Sequence, residues 1–182
     1  MNLFRKGAEK KIKLEKNKKY LNLGCGKNIR LGWVNCDIQN NPNIDKSFNL
    51  EIFPYPFKND GFDYIYLNHV LEHIHHPLHV INELHRIAKK YAIIHIVVPY
   101  FNCAGAYNDI THYHYFNRRT FELMFHPDSG YELEKDNRFK IISLKLEPTL
   151  AGKILPSFMR EIISLFIGGI IGSIECKVRV YK

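Results

Sequence analysis

Short apolar runs, set apart by polar stretches bearing glycine and proline, dominate this chain, and their spacing predicts strands alternating with helical or loop connections. Residues Tyr20–Leu23, 33–37, 62–67, 92–98, 141–146 and 177–181 have the length and the β-branched or aromatic content of strands, with a weaker one around 48–50. The clearest helix spans 78–90, where Val80, Ile81, Leu84, Ile87 and Ala88 recur at spacings of one, three and four residues and draw one apolar stripe. Pro77 suits its first turn, and Lys89 and Lys90 fall where cations favour the negative end of the helix dipole. Asn117 reads as the N-cap of a second helix carrying Phe121, Leu123, Met124 and Phe125, ended by Pro127 and Gly130.

This alternation is the pattern of a mainly parallel sheet with covered faces. Only nine residues, 24–32, join the first two strands, whereas a parallel crossover usually needs roughly a dozen or more. The first helix must therefore be truncated or absent. Connections 40–46 and 53–61 are too polar or proline-rich for long helices, so a pared-down version of the fold is expected. Near the C-terminus an apolar helical segment at about 154–174 separates the last two strands and contains IISLFIGGIIGSI. At thirteen residues that run is too short to span a bilayer, which takes about twenty. It reads as a core helix, with a membrane-resting or dimer-forming face as the competing reading.

Composition and charge refine this picture. The 182 residues, 46% hydrophobic, suffice for one domain with a proper core. The formal charge of +8 is uneven: residues 1–19 hold eight Lys or Arg against Glu9 and Glu15, a net +6. Residues 1–19 thus read as a basic N-terminal tail and 20–182 as the domain. A lysine-rich, apolar-poor run is most simply a solvated terminus; an anionic membrane or nucleic acid is what it would meet. Cys25, Cys36, Cys103 and Cys176 show no CxxC pairing or zinc-ribbon spacing, which suggests reduced thiols. With no apolar signal region at the N-terminus, a cytoplasmic protein is expected, with membrane association as an extension of that reading.

The stretch YLNLGCGKNIRLGWVNCDI carries the chemistry. A strand that ends in Gly24-Cys25-Gly26 lets a ligand approach its backbone, and Asp37, closing the next strand, can accept two ribose hydroxyls. A dinucleotide fingerprint requires a third glycine where Ile29 stands and an acidic residue roughly twenty positions on, yet Asp37 follows Gly26 by only eleven. A nucleoside ligand without a pyrophosphate fits better, and a nicotinamide-dependent oxidoreductase is disfavoured.

LNLGCG, GWVNCDI, PFKNDGFDYIYLNHVLEHI, and INELHRIAKK running into YAIIHIVVPY, in that order over roughly 20–125, resemble a class I S-adenosylmethionine-dependent methyltransferase, most closely the type 11 group. The resemblance implies an α/β, Rossmann-like fold: a mostly parallel central sheet with an antiparallel C-terminal strand and helices on both faces. It implies S-adenosyl-L-methionine as cofactor and no metal. Leu23, Gly24, Cys25 and Gly26 would lie against the methionine and ribose parts, with Asp37 on the ribose hydroxyls and Ile38 beside it. Where the family carries an acidic residue for the adenine amine this chain has Asn49, followed by Leu50; asparagine still supplies an acceptor oxygen, and a plain surface role is its other reading. Asn68 and His69 would face the reacting methyl group, with His69 as general base.

Glu72 and His73 read as the start of a helical turn with a structural role. His75, His76, His79 and His85 lack a convergent ligand spacing and read as surface residues. The segment 100–116, YFNCAGAYNDITHYHYF, is a long loop of lid type, rich in aromatic residues and histidine. If 111–115 is extended, His112 and His114 point one way and Tyr113 and Tyr115 the other. Asp109 with His112 and His114 forms a second base candidate, packing under the loop being the alternative; convergence of His69, His112 and Asp109 would offer a divalent metal site.

The acceptor expected under this loop is a hydroxyl or amine of a small molecule, a saccharide or a lipid-linked saccharide, since tyrosine suits flat or apolar sugar faces. Peripheral membrane contact through the tail and the apolar C-terminal segment accompanies that reading, and a homodimer is its companion. The net +2 of residues 20–182 makes RNA the weaker expectation. A non-catalytic binding module that keeps the cofactor fold is the alternative from another class.

Overall fold

In the computed structural model, residues 12–126 and 138–182 are described. Seven strands form one sheet: β1 (Tyr20–Leu23), β2 (Val34–Asp37), β3 (Lys46–Ser47), β4 (Phe62–Asn68), β5 (Ala88–Pro99), β6 (Phe139–Pro148) and β7 (Ile171–Val180). Their order is β3-β2-β1-β4-β5-β7-β6. The pairs from β3 across to β5 are parallel, and β7 lies antiparallel between β5 and β6. Helices α1 (Pro77–Ile87), α2 (Ala104–Tyr107), α3 (Arg118–Met124) and α4 (Ser157–Ser164) occupy the later connections. The sheet is the expected mostly parallel Rossmann-like one, with the antiparallel C-terminal strand.

Strand alternation sorts the side chains onto two faces. Leu21, Leu23, Ile65, Leu67, Ile94, Ile96, Val98, Ile174, Cys176 and Val178 are buried in one core with Val80, Ile81, Leu84 and Ile87 of α1. The intervening positions build a smaller cluster of Tyr20, Trp33 and Tyr66, against which Ile12, Tyr64 and Val97 pack. The Arg30 guanidinium lies 4.2 Å from the centre of the Tyr66 ring and 5.3 Å from that of Trp33. Residues 12–19, expected within a free tail, are tied to this domain: Glu15 N–H donates to Tyr20 Oη (3.0 Å) and Lys19 N–H to the Asp63 carboxylate (2.9 Å).

No helix forms between β1 and β2, as the nine-residue link requires. Instead, two buried asparagines hold the loop. Asn22 Nδ2 donates to Asn28 O (2.9 Å) and to Asn35 Oδ1 (3.0 Å). Asn35 Oδ1 also accepts from Arg30 N–H (2.9 Å), and its Nδ2 donates to the carbonyls of Arg30 (3.0 Å) and Trp33 (3.1 Å). Asp45 extends the brace, its carboxylate accepting from Asn35 N–H (2.7 Å). A helix satisfies its own backbone; this loop cannot, and side-chain amides do it.

Several boundaries differ from expectation. Helix α1 stops at Ile87, because Asp60 and Gly61 N–H groups take the Arg86 and Ile87 carbonyls and Ala88 turns extended. Lys89 and Lys90 therefore belong to β5, where Lys89 pairs with Asp63 (2.6 Å) rather than with a helix end. The weak strand at 48–50 forms two residues earlier, as β3. Asn117 does cap α3, in a reciprocal box with Thr120, but the helix ends at Met124; the expected stops at Pro127 and Gly130 lie outside the described residues. The largest correction concerns 154–174. Only Ser157–Ser164 is α-helical; a turn at Gly169 (φ 78°) follows, and Ile171–Ile174 already belong to β7, which is six residues longer at its start than expected. Nor is α4 a core helix: Phe158 and Ile162 are exposed, as are Ile154, Leu165, Phe166 and Ile167 around it. Among the described residues no helix is long and apolar enough to cross a membrane.

Two stability predictions follow from these contacts. Asn35→Leu strands the Arg30 N–H and two carbonyls in the interior and is expected to lower the unfolding free energy by about 3 kcal/mol in urea titration; Asn43→Ala, on the surface, serves as the neutral comparison. Glu83, almost fully buried, accepts from Tyr55 N–H (2.6 Å) and from Arg86 Nε (2.9 Å). Burial opposes its ionisation, but the Arg86 and Tyr55 hydrogen bonds outweigh it and hold its pKa below the ordinary value. Its contribution is thus present above the unfolded carboxyl pKa of about 4.3 and lost as pH falls through the lower folded value. Glu83→Gln should lower stability by about 2 kcal/mol at pH 7 and flatten the loss of stability below about pH 4.5.

Candidate active site

The C-terminal ends of β1, β2 and β4 meet on one edge, where a doubly wound sheet binds its ligands. Gly24 (φ 63°) and Gly26 (φ 49°) turn the chain sharply after β1. A side chain at Gly24 would meet Val70 Cγ2 at 2.4 Å, so only glycine fits there. Above Gly26, by contrast, a Cβ would meet nothing within 4 Å, which leaves an open approach to the backbone. Cys25 N–H donates to Cys36 O (3.0 Å) and locks this turn onto the end of β2.

Asp37 follows directly. Its Oδ2 accepts from Gly26 N–H (2.7 Å) and its Oδ1 from Gln39 N–H (3.0 Å). Each oxygen keeps a free lone pair, so the carboxylate is oriented but not saturated. Ile38 beside it is largely exposed, an apolar face at the mouth of the site. Asn49 spends one lone pair of Oδ1 on Glu51 N–H (2.9 Å), and Leu50 is buried with its carbonyl accepting from Tyr55 Oη (2.8 Å). Leu23, Gly24, Cys25, Gly26, Asp37, Ile38, Asn49, Leu50, Asn68 and His69 thus cluster at the strand ends β1 to β4 and the loops that leave them. This donor set fits a nucleoside with a ribose and no pyrophosphate.

His69, the residue after β4, has a left-handed backbone (φ 54°) anchored by its N–H to Val97 O (2.9 Å). A non-glycine residue held there costs of order 1 kcal/mol, and such outliers gather at functional sites. The ring is half exposed, and Nδ1 lies 3.1 Å from Oε1 of Glu72, which is 1% exposed. A buried carboxylate behind Nδ1 directs the other ring nitrogen, Nε2, outward.

Glu72 and His73 do form a short helical turn, Leu71–His73, which carries no side-chain cap. Glu72 lies under the 100–116 loop, its carbonyl accepting from Tyr113 N–H (2.8 Å). In that loop the expected alternation holds: His112 Nδ1 donates to Ala106 O (2.8 Å) and His114 Nε2 to His75 O (3.2 Å). Tyr113 and Tyr115 turn outward onto His75 (centroids 3.9 Å) and Tyr107 (4.9 Å). Asp109 does not join His69 and His112. It is exposed, and its Oδ1 accepts from Thr111 N–H (2.9 Å) and Thr111 Oγ1 (2.7 Å), which lower its pKa. These two bonds tie the Asp109 carboxylate to the loop at Thr111.

The residue that the sequence reading undervalued is Glu72. The signal is an acidic residue between apolar Val70-Leu71 and Ile74: a carboxylate carried into the core by such neighbours needs a partner. A cavity of about 520 Å³, lined by Glu122, Phe125, Phe139 and Tyr181 among others, opens at the opposite end of the sheet, where β6 begins and β7 ends. It takes no part in this site.

Solved structures with the same fold include an S-adenosylmethionine-dependent methyltransferase from Archaeoglobus fulgidus, with a TM-score of 0.59 and 13% identity over 89% of this chain and 86% of that one. Another, from Methanosarcina mazei, gives a TM-score of 0.56 and 14% identity over 92% and 94%. A third is a complex of the Haloferax volcanii Trm112 methyltransferase activator with a candidate methyltransferase, with a TM-score of 0.60 and 11% identity over 93% and 85%. No curated protein sequence matches significantly. The family model for the methyltransferase domain matches residues 4–135, well over half of the chain. The chain belongs to this methyltransferase-domain family, with S-adenosylmethionine as its cofactor.

Proposed function

We propose that this chain is a cytosolic methyltransferase that works at a membrane surface, moving a methyl group to a hydroxyl or amine of a saccharide or lipid-linked saccharide seated under the 100–116 loop. Methyl transfer from a sulfonium needs little covalent help from the protein, which mainly positions the reactants and receives a proton. In this reading Gly24 to Gly26 carry the methionine and ribose parts, Asp37 takes the ribose hydroxyls, Ile38, Asn49 and Leu50 flank the adenine, and Asn68 and His69 stand at the methyl group. His69 receives the acceptor proton on Nε2, with Glu72 orienting the ring.

The observation that carries the acceptor class is the join between the loop and the apolar α4 surface. Tyr100 Oη donates to Ser164 Oγ (3.1 Å), Asn102 Nδ2 to Ser164 O (2.7 Å), and Arg118 pairs with Glu161 (2.7 Å). An exposed face bearing Phe158 (76% exposed), Ile162, Phe166 (83%) and Ile167 therefore sits directly beside the loop, with Lys153 next to it. Exposed aromatic and aliphatic residues flanked by cations suit the headgroup boundary of a bilayer. The same face would equally bury a protein partner, as the activator-bound relative invites; vesicle binding separates the two.

Asp37→Ala is expected to weaken S-adenosylmethionine and S-adenosylhomocysteine binding by roughly 30-fold or more in calorimetry, the loss of charge-assisted hydrogen bonds to two hydroxyls. Unchanged affinity would remove Asp37 from the ribose. His69→Ala should leave cofactor affinity nearly intact while cutting labelled-methyl transfer to saccharide acceptors by about 100-fold. The intact protein should co-sediment with vesicles containing anionic lipid, and Phe158→Asp with Phe166→Asp should abolish this without changing cofactor affinity. Equal sedimentation of the two forms would refute the membrane-facing role of α4.

A further inference from the structure

Beneath the 100–116 loop, outside the cofactor edge, one oxygen of Glu72 and one ring nitrogen each of His73 and His112 lie within 4.8 Å of one another. The three come from two segments, the Leu71–His73 turn and the loop, which the fold closes on each other through the Tyr113 N–H to Glu72 O bond.

The hydrogen bonds around the cluster determine which ring atoms keep a lone pair. Ala106 O can only accept, so His112 Nδ1 carries the proton of that 2.8 Å contact. The Thr111 hydroxyl gives its proton to Asp109 Oδ1 (2.7 Å), so its oxygen accepts from His73 Nδ1 (2.8 Å). Both histidines thus have their Nδ1 proton committed outward, which leaves Nε2 as a lone-pair donor on each. Glu72 divides its carboxylate in the same way: Oε1 meets His69, while Oε2 is buried and has no hydrogen-bond partner. The His73 and His112 rings meet edge to face, with centroids 4.6 Å apart. Lone pairs gathered on a buried carboxylate repel one another unless a cation sits among them.

We propose that Glu72, His73 and His112 bind one divalent transition-metal ion of the zinc class. Two imidazole nitrogens with one carboxylate are a donor set such ions take, and each histidine already has the outward partner that fixes a metal-binding ring. Asp109 and Thr111 then act as supports for His73, and the Ala106 carbonyl for His112. None of the four cysteines belongs to the cluster, and three protein ligands leave a tetrahedral ion one position for solvent or for an acceptor oxygen. That makes the site an open one beside the loop, not a closed structural one. Glu72 joins it to the cofactor edge through His69.

The test uses the full chain, stripped of metal by chelator. Cobalt(II) titration followed by visible absorption and zinc(II) competition against a chromophoric chelator should each give one equivalent per chain. Because Glu72 is buried, the deciding variants are His73→Ala and His112→Ala, both half-buried. Each should abolish the cobalt bands and weaken zinc by more than the roughly 10- to 100-fold typical of losing a supporting partner, which is the loss expected for Thr111→Val. His76→Ala, exposed and outside the cluster, should change nothing. Absence of saturable uptake, or uptake that survives both alanine variants, overturns the proposal. Calorimetry with S-adenosylmethionine on the same metal-free sample reads the cofactor site separately, so failure of one assignment is distinguishable from failure of the other.

Discussion

The contact between Asn22 and Asn35 sustains the rest of this molecule. A nine-residue link between parallel neighbours leaves no room for a crossover helix, so the loop backbone has to be satisfied by other groups while buried. The paired amides meet that need, and in doing so they hold the ends of β1 and β2 at the spacing that lets Gly26 N–H reach Asp37. The strand-end edge that carries Gly26 and Asp37 is therefore a consequence of how the missing helix is replaced. The aromatic cluster of Tyr20, Trp33 and Tyr66 covers the same face of the sheet and shields the amides from water.

From that edge, the site is built outward through one buried carboxylate. His69 in its left-handed conformation, the Leu71–His73 turn and the 100–116 loop all converge on Glu72, whose side-chain and backbone oxygens touch each of them. A buried charge is destabilising unless compensated, and the groups that compensate it here are functional candidates on two sides. This gives a physical reason for the loop to close over the strand ends in a defined register.

The loop in turn positions α4. Ser164 is buried against Tyr100 and Asn102, while the residues around it expose their apolar side chains. This short helix, its oily face outward, is held by the bonds at Ser164 and the Arg118–Glu161 pair, and after six further residues the chain enters β7, paired between β5 and β6.

By itself the sequence determined the approximate places of the strands, the mainly parallel sheet, a first helix truncated or absent, the cap at Asn117 and the glycine turn that brings Gly26 to Asp37. Those features are local: periodicity, glycine and turn chemistry within a few residues of one another. Periodicity alone extends helix α1 to residue 90, whereas its end is set by Asp60 and Gly61, more than twenty residues upstream, which take its last carbonyls. An all-round apolar stretch such as 154–174 has no directional face from which to place its elements; only pairing with β5 and β6 decides that its last four residues are strand. Glu72, His73 and His112 were separable only in space: the first two are chain neighbours on a tight turn and the third lies thirty-nine residues on. Ligand spacing along a chain carries no information when the ligands are brought together by a loop folding over a sheet edge, and there the tertiary structure alone decided.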